Sequence, residues 1–303
     1  MALATGAQAE IGYIEEVAYG VLPATPEFVA LPVTGITPEV TKEGFQSGDL
    51  RADRQISDFR HGGKATTLAL PFEFKHGEFD PLLESALFGA WATNVLKAGV
   101  TRKSFQMEVA YTDIAQFHLF NGLIVNSMSL SISTDATVTG TFNMVGLDMT
   151  PSGTTSDNVG GFTPVGAKRS FDSFSGVINE GGSPIAIVTA VELNIENGLT
   201  PAKVIGSDVP VDYFDGRCNV TGTLTAFFED AVLLNKFLNE TPSDLDLTLT
   251  DPDGNTMQIE VPRIIYTGGS APVSGEAGIS IAMPFQAVYD ATATTALQIT
   301  RSA

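Results

Sequence analysis

The chain carries one pattern twice, and this limits its fold more than any other feature. Residues 65–89 read ATTLALPFEFKHGEFDPLLESALFG and residues 220–241 read VTGTLTAFFEDAVLLNKFLNET. Each is an alternating strand running into a short amphipathic helix. Leu82, Leu83, Ala86 and Leu87 share the spacing of Leu233, Leu234, Phe237 and Leu238, at a constant offset of 151. Two further segments echo each other: SFQMEVAYTD (104–113) with DLDLTLTD (244–251), and TVTGTFNMV (137–145) with SIAMPFQAV (280–288). Solenoid repeats recur every 20–50 residues or so, far more often than this. The pattern predicts a mainly β protein made of two tandem β domains of one fold. Each has one short flanking helix: 1–150, a linker at 151–164, and 165–303. Such a doubling points toward assembly.

A length of 303 residues accommodates two ordinary domains. A hydrophobic fraction of 43% supplies cores for both. Only 17% of residues are charged, yet the net charge is −19. That balance opposes a phosphate-gripping surface, which needs clustered Lys and Arg. Cys218 is the single cysteine, so neither an intrachain disulfide nor a multi-cysteine metal site is expected. The opening residues lack the basic and apolar regions of a signal peptide. No apolar run approaches the ~18 residues of a membrane span, so synthesis and folding in a cytoplasm are expected, with no membrane partner.

Period-two alternation places Met128, Leu130 and Ile132 opposite Ser127, Ser129, Ser131 and Ser133. Half-buried antiparallel strands with one hydroxyl-rich face are expected, including one with Phe105, Met107, Val109 and Tyr111 on its apolar side. Asp80 can N-cap the first helix, Pro81 suits its first position and Gly89 can close it in a left-handed cap. The second helix starts after Asp230. The segment through Pro32 reads as an arm. Residues 41–63, TKEGFQSGDLRADRQISDFRHGG, show no sustained period and read as a long loop. Within it Arg51, Arg54 and Arg60 alternate with Asp49, Asp53 and Asp58. Guanidinium forks there could bind carboxylates of a neighbouring subunit.

Catalytic patterns are wanting. Asp251, Asp253 and Asn255 lie around Gly254, at the wrong spacing for a calcium loop, and fit a hairpin turn. His61, His76 and His118 stand apart from one another. No nucleophile elbow, P-loop or dinucleotide fingerprint occurs. Neither enzymatic activity nor a cofactor is expected. A tandem sandwich serving as a capsid decoration or carbohydrate-binding module is the alternative to self-assembly, although most aromatic residues alternate into apolar faces.

Tyr19-Gly20-Val21-Leu22-Pro23 precedes Gly48-Asp49-Leu50-Arg51-Ala52-Asp53-Arg54-Gln55, then strand, helix and antiparallel strands, and the chain finishes with Tyr289-Asp290 and LQITR. In this order the chain resembles the major tail tube proteins of long-tailed, non-contractile bacteriophages. Their loop pattern is S-x-E-I-R-x-D-R-Q; Gly48 stands for the Ser and Asp49 for the Glu. The resemblance implies a two-sheet β-sandwich with a flanking helix, in a virion tail assembled in the host cytoplasm. It further implies rings whose inner strands join around a channel, stacked through loops and arms, with DNA passing without specific binding. The partners so implied are further copies of the chain, a tape measure protein, and terminator and distal tail proteins. Single-domain relatives form sixfold rings. A doubled chain would then close as a trimer with pseudo-sixfold symmetry, the hexamer being the alternative. On that reading Ser127, Ser129, Ser131 and Ser133 are a candidate lumen face.

Overall fold

Alternating apolar and hydroxyl side chains cannot satisfy a helix, because opposite faces of an extended chain repeat every second residue. A computed structural model describes residues 3–152, 161–273, 275–276 and 278–302, and it is mainly β. The expected linker falls mostly outside the described residues. The first half runs β1 (Ala9–Glu15), β2 (Val29–Ala30), β3 (Thr37–Gln46), β4 (Phe59–Glu73), α1 (Asp80–Leu87), β5 (Val95–Lys97), β6 (Phe105–Tyr111), β7 (Gln116–Ser133), β8 (Thr139–Gly146) and β9 (Asp148–Ser152). The second runs β10 (Val177–Glu180), β11 (Ser183–Pro184), β12 (Val188–Glu196), β13 (Thr200–Ala202), β14 (Asp212–Phe214), β15 (Asn219–Phe227), α2 (Val232–Leu238), β16 (Ser243–Thr250), β17 (Thr256–Tyr266), β18 (Ser280–Ala287) and β19 (Gln298–Arg301).

The two halves are wired alike. β1 pairs with β2 and β6, as β10 pairs with β11 and β16. β7 is flanked by β6, β8 and β9, as β17 is by β16, β18 and β19. β8 continues to β4 and β3, as β18 continues to β15 and β12. All these strand-to-strand pairings are antiparallel. The halves then fuse into one 17-stranded sheet, while β13 and β14 form a separate pair. Two joints make the fusion. β7 pairs with β12 from Ser127↔Glu196 to Ser133↔Ala190. β19, which holds the Gln-Ile-Thr-Arg ending, pairs with β5.

The common sheet has unlike faces. Leu70, Phe72, Met128, Leu130, Phe142, Leu193, Leu224 and Met283 point into one buried core. Opposite them stand Ser127, Ser129 and Ser131, beside Asn143, Thr141 and Thr139 on one side and Glu196, Asn194 and Glu192 on the other. Burying the apolar side at about 25 cal/mol per Å² is the main force holding the sheet.

α1 drives Leu82, Leu83, Ala86 and Leu87 into that core, all fully buried. α2 lies more loosely: Leu233 is buried, Leu234 and Phe237 are partly so, and Leu238, expected on the covering face, is 64% exposed. Leu238 is the last of the seven residues of α2 and lies outside its buried side.

Several expectations need correction. Residues 41–63 are not one loop: β3 extends to Gln46 and β4 starts at Phe59, so a hairpin narrows the connection to 47–58. The left-handed cap of α1 is Phe88 (φ 47°), not Gly89. Gly89 stays small for another reason, since a Cβ there would meet the Lys97 carbonyl. Asp80 begins α1 without capping it through its side chain. It pairs instead with Arg301, which stacks 4.4 Å over the Trp91 ring. β6 is buried on both faces, Gln106 and Glu108 included. It lies between β1 and β7, and Phe162 covers Gly12 on the neighbouring strand. Residues 162–172, straddling the expected boundary at 165, pack on the first unit.

Candidate assembly interface

The β7–β12 joint is a seam between two copies of one architecture, made inside a single chain. By the repeat, β12 corresponds to β3 and β7 to β17. Among the described residues β3 pairs only with β4, and it is exposed along nearly its whole length. At the opposite end of the sheet, Tyr266 and Ser270 bond on one side to β18, at Phe285 and Ala282. Two edges of the sheet thus repeat the partners of its internal seam. Exposed edges of this kind are templates for pairing with another chain.

β4, β7, β8, β12, β15 and β18 contain no Lys or Arg from 65–73, 127–133, 139–145, 190–196, 219–227 and 280–286. The solvent side of this sheet therefore carries no basic side chain over these segments; hydroxyl, amide and carboxylate groups, including Glu73, Glu192 and Glu196, stand there among Ala69, Pro71, Ala282, Pro284 and Phe227. Ser131 is exposed, whereas Ser127, Ser129 and Ser133 are half-buried. Asn143 donates to the Ser127 hydroxyl at 3.1 Å.

The hairpin tip collects its own charges. Arg51 bonds Asp53 through Nε and Nη2 at 2.9 and 2.6 Å. Its guanidinium holds the Asp53 carboxyl below the usual carboxylate range. Arg60 donates to Asp58 at 3.1 Å, and Ser57 donates to Asp49 at 3.1 Å. Arg54 has left-handed backbone (φ 59°) and forms no ion pair among the described residues. The apolar side chains Phe45, Leu50, Ile56 and Phe59 are exposed around the charges, Leu50 completely. The sequence reading singled out the charges and missed this apolar set, whose signal was an unpatterned Leu and Ile between polar residues.

The second unit's counterpart of this tip, the β12–β15 connection, behaves otherwise. It folds back across the seam. Arg102 of the first unit reaches Asp212 at 2.6 Å, Asp215 at 3.3 Å and the Tyr213 carbonyl at 2.8 Å. The Tyr213 hydroxyl donates to the Gly146 carbonyl at 3.0 Å, and Lys203 meets Glu43 at 2.8 Å. Arg102 also lies 5.0 Å over Tyr19. Burial pushes the phenols of Tyr19 and Tyr213 up. The Tyr19-Gly20 turn is anchored by buried Glu16, which accepts from the N–H groups of Gly20 and Gly122 at 2.8 and 2.7 Å and from the Ser104 hydroxyl at 2.6 Å. Gly20 is at φ 73°, where a side chain would strain the turn.

Among the described residues no group of three or more His, Cys, Asp or Glu could hold a metal ion, and no helix is long and apolar enough to cross a membrane. The Asp251 carboxylate is spent on its own turn, accepting from the N–H groups of Asp253 and Asn255 and from the Asn255 amide at 2.9, 2.8 and 2.6 Å.

A family model described as "Phage tail tube protein" matches residues 6–287. No curated protein matches the chain. One solved structure, titled "Cryo-EM structure of the anti-feeding prophage (AFP) baseplate, 6-fold symmetrised", contains a similar chain. The likeness covers 52% of this chain and 99% of that one, at 9% identity and a TM-score of 0.30.

Proposed function

The chain belongs to the phage tail tube protein family, structural components of the virion tail, and on that premise we propose that three copies close into a ring. Rings stack into the tube through which DNA leaves, and DNA passes without specific binding. Each chain contributes two like units, and the carrying observation is the internal seam. β7 of one unit already pairs with β12 of the next, and the corresponding edges, β3 and the segment from Tyr266 to Ser270 at the end of β17, are bonded on one side at the two ends of the sheet. Pairing the Tyr266–Ser270 edge of one chain with β3 of the next repeats the seam around a closed, heterologous ring that leaves neither of these edges open.

The base-free face that includes Ser127, Ser129, Ser131 and Ser133 lines the channel. A polyanion is repelled by its carboxylates, and the face offers no cationic side chains to displace the polyanion's condensed counterions. The hairpin tip, with Asp49, Arg51, Asp53, Arg54, Asp58 and Arg60, reaches a neighbouring subunit. Its counterpart, which folds over the internal seam onto the first unit, supports that reading. A tape measure protein inside the channel and terminator and distal tail proteins at its ends complete the partners. Leu82, Leu83, Ala86 and Leu87, with Leu233, Leu234 and Phe237, hold the helices against the wall.

Electron microscopy of purified protein, with rotational averaging of end-on views, tests this. Threefold rings with a central channel are expected. Six chains per ring would remove the stoichiometry, and protein that stays monomeric at any concentration would remove the ring. Arg54→Glu is expected to fold normally and to block tube elongation; tubes of normal length would dismiss the tip as a contact.

A further inference from the structure

The two units are closed differently at one end. In the first, Phe74 follows β4 and its N–H bonds to the Val138 carbonyl at 2.8 Å. Residues 170–172 then cross this end. Phe171 donates its N–H to the Phe74 carbonyl at 2.9 Å, and its own carbonyl accepts from Val138 at 2.9 Å. Lys75↔Ser170 and Thr137↔Asp172 bridges flank it. The Phe171 ring is fully buried, 5.4 Å from that of Phe74.

In the second unit Phe228 follows β15, and its N–H bonds to the Ile279 carbonyl at the same 2.8 Å. Among the described residues no segment crosses this end. Phe227 and Phe228 remain 53% and 41% exposed. Beside them opens a groove of about 260 Å³, lined by the apolar Ile187, Phe227, Leu233 and Ile281 and by the acidic Glu180, Glu229 and Asp230.

What fills the first unit indicates what fills the second. Phe171 lies six positions ahead of β10, the first strand of the following unit. β1 is the counterpart of β10, and six positions ahead of it lies Leu3. Leu3 is 80% exposed. Just behind it, Thr5 is tied to its own chain through Asp113, which accepts from its N–H and hydroxyl at 2.6 and 2.9 Å. The root of the segment is thus fixed while its apolar end projects.

We propose that Leu3 of a second copy of this chain seats in the groove of the second unit, as Phe171 seats in the first. This rests on the ring reading, in which the unit following β17 around the wall is the next chain's first unit. Each seam would then be closed twice, by strand pairing and by an inserted apolar side chain from the later unit.

The test is a cross-link in the full-length chain with Cys218→Ser. Leu3→Cys and Phe227→Cys both lie at exposed positions, so folding is spared. On oxidation, covalent dimers and trimers are expected on a non-reducing gel. Rings seen by microscopy with protein still running as monomer would overturn the proposal while leaving the ring intact. A bond closed within one chain would overturn it as well. If the Cys218→Ser parent forms no rings, the ring reading fails and this proposal with it. Independently, Leu3→Asp is expected to lower ring yield about tenfold, because a buried leucine is replaced by a charge; an unchanged yield would overturn it.

Discussion

The first unit closes its core with stacked aromatic rings and the second with a polar cluster. Around α1, Phe72 stacks on Phe142 at 4.5 Å and tilts on Phe79 at 4.6 Å, with Phe74 and Phe171 continuing the set. Under α2, Lys236 bonds buried Glu180 at 2.7 and 2.8 Å, and Tyr266 donates to the same carboxylate at 3.0 Å. Burial, then the Glu180 charge, pushes the Tyr266 phenol up. Identical wiring therefore tolerates two chemistries. The contrast follows the neighbours: the first unit is covered on several sides by its own chain, whereas the second keeps an exposed flank where a polar closure costs less desolvation.

Removing the ring that seals the first unit should have the largest effect. Phe171→Ala is expected to cost about 3–5 kcal/mol, read as a shift of the denaturant midpoint. A shift no larger than that of a surface substitution would erase the distinction between a sealed and an open end. Leu83→Ala should cost about 2–5 kcal/mol and Leu234→Ala less than about 2 kcal/mol, since only Leu83 is fully buried. Equal losses would mean that the helices are equally engaged. Lys236→Ala leaves Glu180 without its cation and should cost about 2 kcal/mol, discounted for the partial exposure of the lysine. Adding Glu180→Gln should recover part of that, and no recovery would deny the pair its role. Ser131→Lys, on the exposed face, should change stability by less than about 0.5 kcal/mol. It should nevertheless make assembled protein retain duplex DNA at low salt; no retention would place the face outside the channel.

Much of this architecture was legible in the sequence because core positions obey a two-residue period. The α1 leucines, the serine-rich strand and the repeat itself were all visible as patterns. The β3–β4 extension was not. There the apolar side chains cover glycines diagonally across the ladder: the Phe59 ring lies over Gly44 and the Phe45 ring over Gly62. Each aromatic shields a neighbour with no side chain, so no alternation shows along either strand. β6 was misread for a related reason. On the adjoining β1, Gly12 lies under Phe162, far along the chain, and a local pattern holds no record of a distant cover. The candidate surfaces were legible as charge, in Arg51, Arg54 and Arg60, but not as shape. Sequence could not disclose that Arg51 and Arg60 are engaged by their own loop, nor that Leu50 and Ile56 stand free beside them.

The internal seam also bears on kinetics. Joining β7 to β12 within one polypeptide makes that contact unimolecular, at the effective concentration set by the connecting chain. A ring of three such chains has three diffusional joints to make instead of six. Formation of the proposed ring would therefore depend on a lower power of subunit concentration, which eases closure when free chains are dilute.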